Sequence, residues 1–304
     1  MYFIRRIIYA VPLLLVISAL AFTLVHLAPG GPFDRERKPA SPEIERNLRA
    51  RYHLDEAVWK QYGRYLGGLL RGDFGASLKY RNHTVADIIA QGLPVSMLLG
   101  GLAFCVATAV GLPLGFYTAA RRGRWQDYAG GFLAVLAVCI PGLVLAPALI
   151  LMFAIKLQWL PVALWASPWH MILPPLALGA YFAGQVARIL REGMLGAAQA
   201  EFVTAARAKG LGETALLFKH VFRIALLPVV SYSGPMLADL LTGSFVIENI
   251  FQIPGIGIFL VNSSLNRDYT VVVGLSLLYA MLLIGLNLAV DFAYTVLDPR
   301  VKYE

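Results

Sequence analysis

Six long apolar stretches constrain this chain more than any other feature of its sequence. A helix needs about 20 mostly apolar residues to cross a hydrocarbon layer about 30 Å thick. Each stretch is about that long, and only 14% of the 304 residues are charged, against about 25% in an ordinary soluble domain. The sequence therefore predicts an all-α integral membrane protein with six transmembrane helices. Their predicted bounds are Ile7–Ala28, Pro94–Ala120, Tyr128–Ile155, Trp169–Ala187, Ile224–Ile250 and Thr270–Leu297.

The basic residues predict how these helices are oriented. In short loops, Lys and Arg stay on the cytoplasmic side of a membrane. Basic residues precede the first stretch and fill the loop between the fourth and fifth, whereas the two opposite short connections hold only Lys156 and Arg267. Both termini are therefore predicted to be cytoplasmic, and the long segment Pro29–Leu93 to lie outside. We assign the net charge of +8 to this topology, because no basic helix or aromatic platform for nucleic acid accompanies it.

The first apolar stretch has a second interpretation. Arg5 and Arg6, an apolar run and the small residues Ala19 and Ala21 are also typical of a cleaved secretory leader. The apolar run continues to Ala28, which favours an uncleaved anchor.

Part of the exterior segment has the pattern of water-soluble structure. Between Glu43 and Leu70, apolar residues recur at helical spacing and leave the other side polar, which predicts two short amphipathic helices. Two roles remain open for them. They could cap the outer ends of the transmembrane helices, or they could form a docking surface for an external partner.

The sequence contains no recognisable catalytic or metal-binding motif. A glycine-rich loop ending in Gly-Lys-Ser/Thr, which would cradle nucleotide phosphates, is missing, as is the His-Glu-x-x-His pair of zinc hydrolases. Ser276 follows a glycine, but it lacks the second glycine of a nucleophile elbow and an evident general base, so an intramembrane protease is a weak alternative. No catalytic residue, metal ligand or cofactor is predicted in this chain.

The loop from Arg188 to Arg223 carries the most informative cytoplasmic pattern. Its alanine-rich part predicts a short helix that ends at Gly210, a residue that readily takes the left-handed conformation of a helix cap. Small side chains allow close approach of another protein, while one aromatic and two basic residues could anchor it. A plain solvated connector fits the composition equally well. The candidate residues are Glu201, Phe202, Ala205, Ala206, Arg207, Lys209 and Gly210.

These loop residues resemble a family motif. The segments Glu201–Leu211, Lys219–Arg223 and Leu226–Pro228 are similar to the EAA loop of ATP-binding-cassette (ABC) importer permeases, in the form used by the peptide-uptake branch. The resemblance extends over essentially the whole chain, and it is greatest to the B-subunit family of oligopeptide permeases. The other segments that carry it include Phe3–Arg6, Leu27–Gly30, Tyr52–Asp55, Gly72–Gly75, Gly243–Glu248, Ile253–Gly257, Leu265–Tyr269 and Leu297–Arg300.

The resemblance implies a bacterial inner-membrane half-channel of the type I importer fold. It would pair with a homologous second permease, two cytoplasmic ATP-binding subunits and an external peptide-binding protein. ATP and Mg²⁺ would belong to the ATPase subunits, and the loop would couple their movement to the channel. Residues 1–93 would form the first helix and the periplasmic segment, and residues 94–304 a five-helix core with coupling loop 188–223. Dipeptides, nickel chelates and short glycan-peptides remain alternative cargoes.

Two further sites follow as hypotheses. Asp239 is predicted near the middle of the fifth span, where a carboxylate must face water or a partner, so we expect it to line the path. Glu248 is expected to reach the outer interface instead. An ion-coupled carrier is a distant alternative, since Asp239 and Asp291 have no basic residue at similar depth. The outer segment Phe251–Tyr269 is expected to contact the binding protein or to be only a re-entrant loop, with candidates Pro254, Gly255, Gly257, Arg267 and Asp268.

Overall fold

The computed structural model describes residues 2–27, 55–80, 82–242 and 244–297. The described chain is almost entirely helical, as the apolar stretches predict. Two π-helical segments, Ile150–Lys156 and Leu217–Val221, and one 3₁₀ turn, Pro168–Met171, interrupt the α-helices. The α-helices are α1 Tyr2–Leu27, α2 Val58–Leu69, α3 Val85–Ala120, α4 Trp125–Cys139, α5 Gly142–Leu149, α6 Leu173–Ala197, α7 Glu201–Ala208, α8 Glu213–Leu216, α9 Phe222–Thr242, α10 Phe245–Phe251, α11 Ile256–Asn266 and α12 Tyr269–Leu297.

Among the described residues, four helical stretches are long and apolar enough to cross a membrane, and six if two bent helix pairs are each counted as one span. The four lie in α1, α3, α12 and the run Glu213–Leu241, which includes α9. The bent pairs are α4 with α5 and α10 with α11. The predicted fourth span corresponds to α6, Leu173–Ala197, which carries charges in its second half and is not among these six stretches.

Two of the predicted spans are interrupted. The third is wrong as a continuous helix, because α4 ends at Cys139, Pro141 is extended, and α5 leaves at 104° to α4. Proline offers no N–H to the preceding turn, so a break at this point is expected from its chemistry. The fifth predicted span is also wrong beyond Thr242, where α9 ends and the separate helix α10 follows.

The chain divides into two compact units. Of the described residues, one unit comprises those up to Ser96 and Pro254–Gly285, and the other comprises Met97–Ile253 and those from Leu286 to Leu297. In the first unit, the beginning of α3 packs against α11 and α12. Buried apolar side chains fill the space between them, namely Val85, Ile88, Ile256, Val271, Leu275 and Leu278.

Helix α2 covers a second apolar cluster of the first unit. Its side chains Tyr62, Tyr65 and Leu69 pack onto Phe22 of α1 and Val273 of α12. Burial raises the pKa of the Tyr65 hydroxyl above its usual range. This contact confirms the second predicted amphipathic helix and gives it the role of a cap. The first, around Ile44 to Tyr52, lies outside the described residues.

Helix α6 forms the centre of the second unit. It packs against α4, α5 and α9, and glycines bring its backbone close to α3 and α4. A Cβ atom on Gly184 would lie 2.5 Å from the Ala134 carbonyl oxygen, and one on Gly115 of α3 would lie 2.5 Å from that of Ala187. Such spacing is typical of membrane helices, which associate through small residues and close backbone contact. This packing fixes the direction in which α6 leads into the segment that follows Ala197.

Candidate functional site

Helix α7 is the short helix predicted in the cytoplasmic loop. It runs from Glu201 to Ala208, with Glu201 in the first turn, where a negative charge favours the positive end of the helix dipole. Gly210 takes a φ of +83°, and the Leu211 N–H donates to the Ala206 carbonyl oxygen at 3.2 Å. The predicted left-handed glycine cap is therefore confirmed. It turns the chain sharply after α7 and directs it toward α8.

One side of α7 is anchored and the other is exposed. Val203 is completely buried and Ala206 is half-buried next to it, whereas Ala205 is exposed on the opposite side. Phe202 lies between these sides and keeps 39% of its surface exposed. This exposed face of α7 combines a small side chain with an aromatic ring beside it. Such a face is suited to fit into a cleft of another protein. Sequence reasoning treated Ala205 and Ala206 alike, and the structure distinguishes them.

Arg207 is tied to its own chain. Its guanidinium donates to the Glu213 carboxylate, with an Nε–Oε1 distance of 2.6 Å and an Nη2–Oε2 distance of 3.3 Å. This hydrogen-bonded pair raises the pKa of Arg207. Because both side chains are exposed, the pair braces the turn after α7 more than it stabilises the fold. Arg207, which was predicted as a donor to a partner, thus donates within its own chain, while Lys209 at the end of α7 is exposed.

An ion pair that the sequence did not predict involves the first part of this loop, which is the end of α6. Arg191 of α6 binds Asp127 of α4 through two bonds, Nε–Oδ1 at 2.7 Å and Nη2–Oδ2 at 3.0 Å. The Gly123 N–H also donates to Asp127, which is 6% exposed. A bidentate pair fixes orientation as well as distance. It joins the first turn of α4 to the last part of α6 and so holds the base from which α7 projects.

In the first unit, Asp268 has a structural role that contradicts its predicted use as a partner contact. It is completely buried at the start of α12 and accepts hydrogen bonds from the Ser77 hydroxyl and from the Leu78 and Lys79 N–H groups. Its side chain also receives the Val271 N–H, as a helix-capping aspartate does. The carboxylate therefore fastens the exterior segment to α12 and presents no surface to another protein.

The other outer candidates divide by exposure. Pro254 is exposed and Arg267 is half-exposed, with a left-handed φ of +60°. Gly255 and Gly257 are buried, so they serve packing and cannot themselves contact a partner. The Ile256 N–H between them donates to the Ser96 hydroxyl at 3.0 Å. Of this predicted set, only Pro254 and Arg267 keep accessible surface.

Asp239 and Glu248 have different environments from those predicted. Asp239 is exposed, but it lies in the last turn of α9 rather than near the middle of a span. Glu248 belongs to a separate helix, is completely buried and accepts a 2.6 Å bond from the Ser244 hydroxyl. The expectation that Glu248 reaches the outer interface is therefore wrong. The cost of a carboxylate at the centre of a membrane helix therefore does not apply to Asp239, and its exposure is what keeps it a candidate for contact with water or a partner.

Comparison with known protein families decides what kind of protein carries these features. Residues 111–303 match the model described as "Binding-protein-dependent transport system inner membrane component", and residues 1–99 match the model of the N-terminal part of such membrane components. The chain belongs to this family. It is a multi-pass permease subunit of a transport system, and the predicted absence of enzymatic chemistry agrees with that family.

Individual relatives cover the permease from end to end. It is 41% identical over 301 residues to the oligopeptide transport system permease protein OppB of Haemophilus influenzae, covering 98% of each chain. It is 42% identical over 304 residues to OppB of Salmonella typhimurium, with 99% of each covered. The dipeptide permease protein DppB of Bacillus subtilis is 42% identical over 301 residues, covering 99% of this chain and 97% of that one.

A solved structure supports the fold of the permease. An inward-facing structure of the MetNI methionine ABC transporter matches with a TM-score of 0.55 and 16% identity, covering 68% of this chain and 94% of that one. At this identity the match concerns the fold alone. It confirms the predicted ABC-importer permease architecture, and with the relatives it confirms the resemblance read from the sequence.

Proposed function

We propose that this permease forms half of the translocation path of an ATP-driven importer of oligopeptides. The observation that carries the proposal is the identity of 41 to 42% over the full chain to oligopeptide permease proteins. Residues 1–93 supply the first transmembrane helix and the periplasmic segment, and residues 94–304 supply the permease core. Both termini lie in the cytoplasm, on the side where the basic residues of the short loops collect.

Helix α7 couples the permease to a cytoplasmic ATP-binding subunit. Its exposed Ala205 and Phe202 enter a cleft of that subunit, while buried Val203 keeps the helix attached to the permease. A rigid helix seated in a cleft moves with its partner, so closure of two ATPase subunits rotates the helices behind the loop. Glu201, Arg207, Lys209 and Gly210 maintain the shape of this contact. ATP and Mg²⁺ bind in the partner subunits, and the permease holds no cofactor.

A second homologous permease completes the channel, and an external binding protein delivers the peptide. Pro254 and Arg267 keep accessible surface in the outer segment, which makes them the candidates for contact with the binding protein. Asp239 lines the path and favours peptides with cationic groups, because its carboxylate is exposed at the end of α9.

Dipeptides are the second candidate cargo. The dipeptide permease DppB of Bacillus subtilis is as similar to this chain as the oligopeptide permeases are. Nickel chelates and other small solutes have no such observation in their favour. An ion-coupled carrier is less favoured still, since α9 carries no basic side chain between Ile224 and Thr242, the part of the helix that contains Asp239.

Reconstitution tests the proposal directly. The permease is assembled in lipid vesicles with its second permease, its ATPase subunits and its binding protein, and uptake of a labelled tetrapeptide is compared with uptake of a dipeptide and of a nickel chelate. ATP-dependent accumulation of the tetrapeptide supports the oligopeptide assignment. If only the dipeptide or only the nickel chelate is taken up, that solute is the cargo instead of oligopeptides. If uptake persists without ATP and responds to an ion gradient, the ABC-importer function is refuted.

A separate variant tests coupling by α7. Ala205→Asp places a carboxylate on the exposed face without disturbing buried Val203, so it should abolish uptake while the complex still reaches the membrane. Thr204→Asp adds the same charge one position away and is the matched control, since Thr204 is also exposed but points away from Ala205. If both variants import peptide as well as the unaltered permease does, the loop is a connector without a role in coupling.

A further inference from the structure

A cleft between α4 and α6 leaves a cavity of about 320 Å³ within the second unit. Its α4 wall is made by Tyr128, Gly131 and Val135, which are three and four residues apart and therefore share one side of that helix. Tyr128 and Val135 are exposed, and a Cβ atom on Gly131 would meet no other atom within 4 Å. The α4 wall is thus mostly apolar and open to whatever surrounds the protein.

Two contacts fix how α4 and α6 run past each other. Asp127 binds Arg191, and a Cβ atom on Gly184 would lie 2.5 Å from the Ala134 carbonyl oxygen. From the first contact to the second, α4 advances by seven residues while α6 goes back by seven, so the two helices are antiparallel. This register places the last part of α6 beside the first turns of α4.

The charged and apolar parts of the cleft therefore lie at different levels. Arg188 and Glu192 of α6 also line the cleft, level with the first two turns of α4, whereas Val135 lies about two turns further along α4 than Tyr128. Trp125 and Tyr128, in the first turn of α4, are exposed aromatic residues of the kind that collect where membrane meets water. The cleft is thus charged at the membrane surface and apolar toward the hydrocarbon.

Two opposite charges in the cleft are available to a ligand. Arg191 is committed to Asp127 through two hydrogen bonds, so that pair is neutral as a whole. Arg188 and Glu192 are exposed, and neither forms an ion pair with any residue that the structure describes. Because they are four residues apart on one helix, they present a guanidinium and a carboxylate with Cβ atoms roughly 6 Å from each other. A ligand with an anion next to a cation complements them.

We propose that the cleft between α4 and α6 binds a zwitterionic phospholipid with a primary ammonium, of the phosphatidylethanolamine type. Arg188 binds the phosphate, and Glu192 accepts hydrogen bonds from the ammonium. An acyl chain lies along the α4 wall at Gly131 and Val135. A water-soluble zwitterion has no chain for that wall, so a lipid complements the whole cleft. The bound lipid contacts both helices and so stabilises the base from which α7 projects.

Native mass spectrometry of the intact transporter tests this binding. The permease, assembled with its second permease and its ATPase subunits, is equilibrated with equal amounts of phosphatidylethanolamine, phosphatidylcholine and phosphatidylglycerol, and the lipids that stay bound are counted. Gly131→Leu fills the apolar wall and should remove one phosphatidylethanolamine from each complex. Gly101→Leu is the matched control, because Gly101 of α3 also faces open space but does not line the cleft.

The two charged side chains should have different effects on lipid binding. Arg188→Gln removes the partner of the phosphate, so it should weaken retention of phosphatidylethanolamine and phosphatidylcholine alike, by about ten-fold. Glu192→Gln should lower only the preference for phosphatidylethanolamine over phosphatidylcholine, because a quaternary ammonium has no N–H to donate. Lys156→Gln removes an exposed basic residue outside the cleft and should change neither.

Peptide uptake measures the effect of the lipid on the base of α7. The complete transporter is reconstituted in vesicles of phosphatidylglycerol with or without phosphatidylethanolamine. Uptake by the unaltered permease should be slower without phosphatidylethanolamine, whereas uptake by Gly131→Leu should not respond to it. If the unaltered permease is equally active in both vesicles, the lipid does not support the base of α7.

Lipid counting separates this inference from the proposed function, because it needs no transport. If the unaltered complex and the cleft variants retain the same lipids, or if the unaltered complex prefers phosphatidylglycerol, the inference fails. If Gly131→Leu loses the second permease rather than a lipid, the cleft is a subunit interface, and if saturating peptide displaces the lipid, the cleft belongs to the peptide path; either result also overturns it. Absence of peptide uptake by the intact transporter would refute the proposed function, while the mass spectra still decide lipid binding.

Discussion

Removal of the Asp268 carboxylate should release the exterior segment from α12. Asp268 is completely buried and holds the Ser77 hydroxyl and the N–H groups of Leu78 and Lys79, the latter two at 3.2 Å each. It also caps α12 through the Val271 N–H at 3.3 Å. Asp268→Ala leaves all four donors without this partner, and two of them, the Ser77 hydroxyl and the Val271 N–H, belong to buried residues.

The expected cost follows from these contacts. Loss of an aspartate cap costs about 1 kcal/mol. A hydrogen bond to a charged group contributes about 1.5 to 3 kcal/mol, and the long backbone bonds fall at or below the lower end of that range. Together the change should destabilise the segment by about 3 to 4 kcal/mol. Asp268→Asn keeps one acceptor and a good cap, so its cost should be about half as large.

Amide hydrogen exchange measures this opening where it occurs. A loss of about 3 kcal/mol in local stability raises the rate of amide exchange about a hundred-fold. The Leu78 and Lys79 amides should therefore exchange about a hundred-fold faster in Asp268→Ala than in the unaltered chain. Asp73→Asn is the control in the same segment, because Asp73 is exposed and its side chain accepts the Gly75 N–H within its own turn. Exchange in the alanine variant within about three-fold of the unaltered chain would refute the role assigned to Asp268.

Three further predictions concern the membrane and cytoplasmic parts. A cysteine at Asn262 should react with an impermeant thiol reagent added outside intact cells, while one at Gln199 should not; labelling of both from the same side would contradict the topology. Gly210→Val should abolish peptide uptake, because a residue with a side chain at φ of +83° costs roughly 1 to 2 kcal/mol. Gly212→Val should import normally, because φ at Gly212 is −65°. If both variants import peptide equally well, the glycine cap has no role in transport. Arg191→Met should leave Asp127 unpaired and lower the thermal stability of the complex by several degrees, and an unchanged melting curve would show that the pair is dispensable.

Features that depend on residues close together in the chain could be predicted from the sequence. Apolar stretches long enough to cross a membrane predict α1, α3 and α12, because hydrocarbon thickness fixes helix length. Apolar residues at helical spacing predict α2, and the glycine after an alanine-rich run predicts the left-handed cap at Gly210. The family motifs are also continuous in the chain, which is why the resemblance to importer permeases was recognisable.

Contacts between distant residues decided the rest. Ser77 and Asp268 are 191 positions apart in the sequence, and Asp127 and Arg191 are 64 positions apart. No pattern of neighbouring residues therefore predicts either pair. Burial of Glu248 depends on the break after α9, and a hydropathy profile cannot show whether an apolar run bends.

The exposed face of α7 shows the same division between sequence and tertiary structure. Composition alone determined that a short helix with small side chains occupies the cytoplasmic loop, because propensity and capping act within a few residues. Only the folded chain determined that Val203 points inward and Ala205 outward, since burial depends on which elements pack together. Local sequence therefore determines where the helix proposed for coupling lies, and tertiary packing determines which of its side chains are exposed.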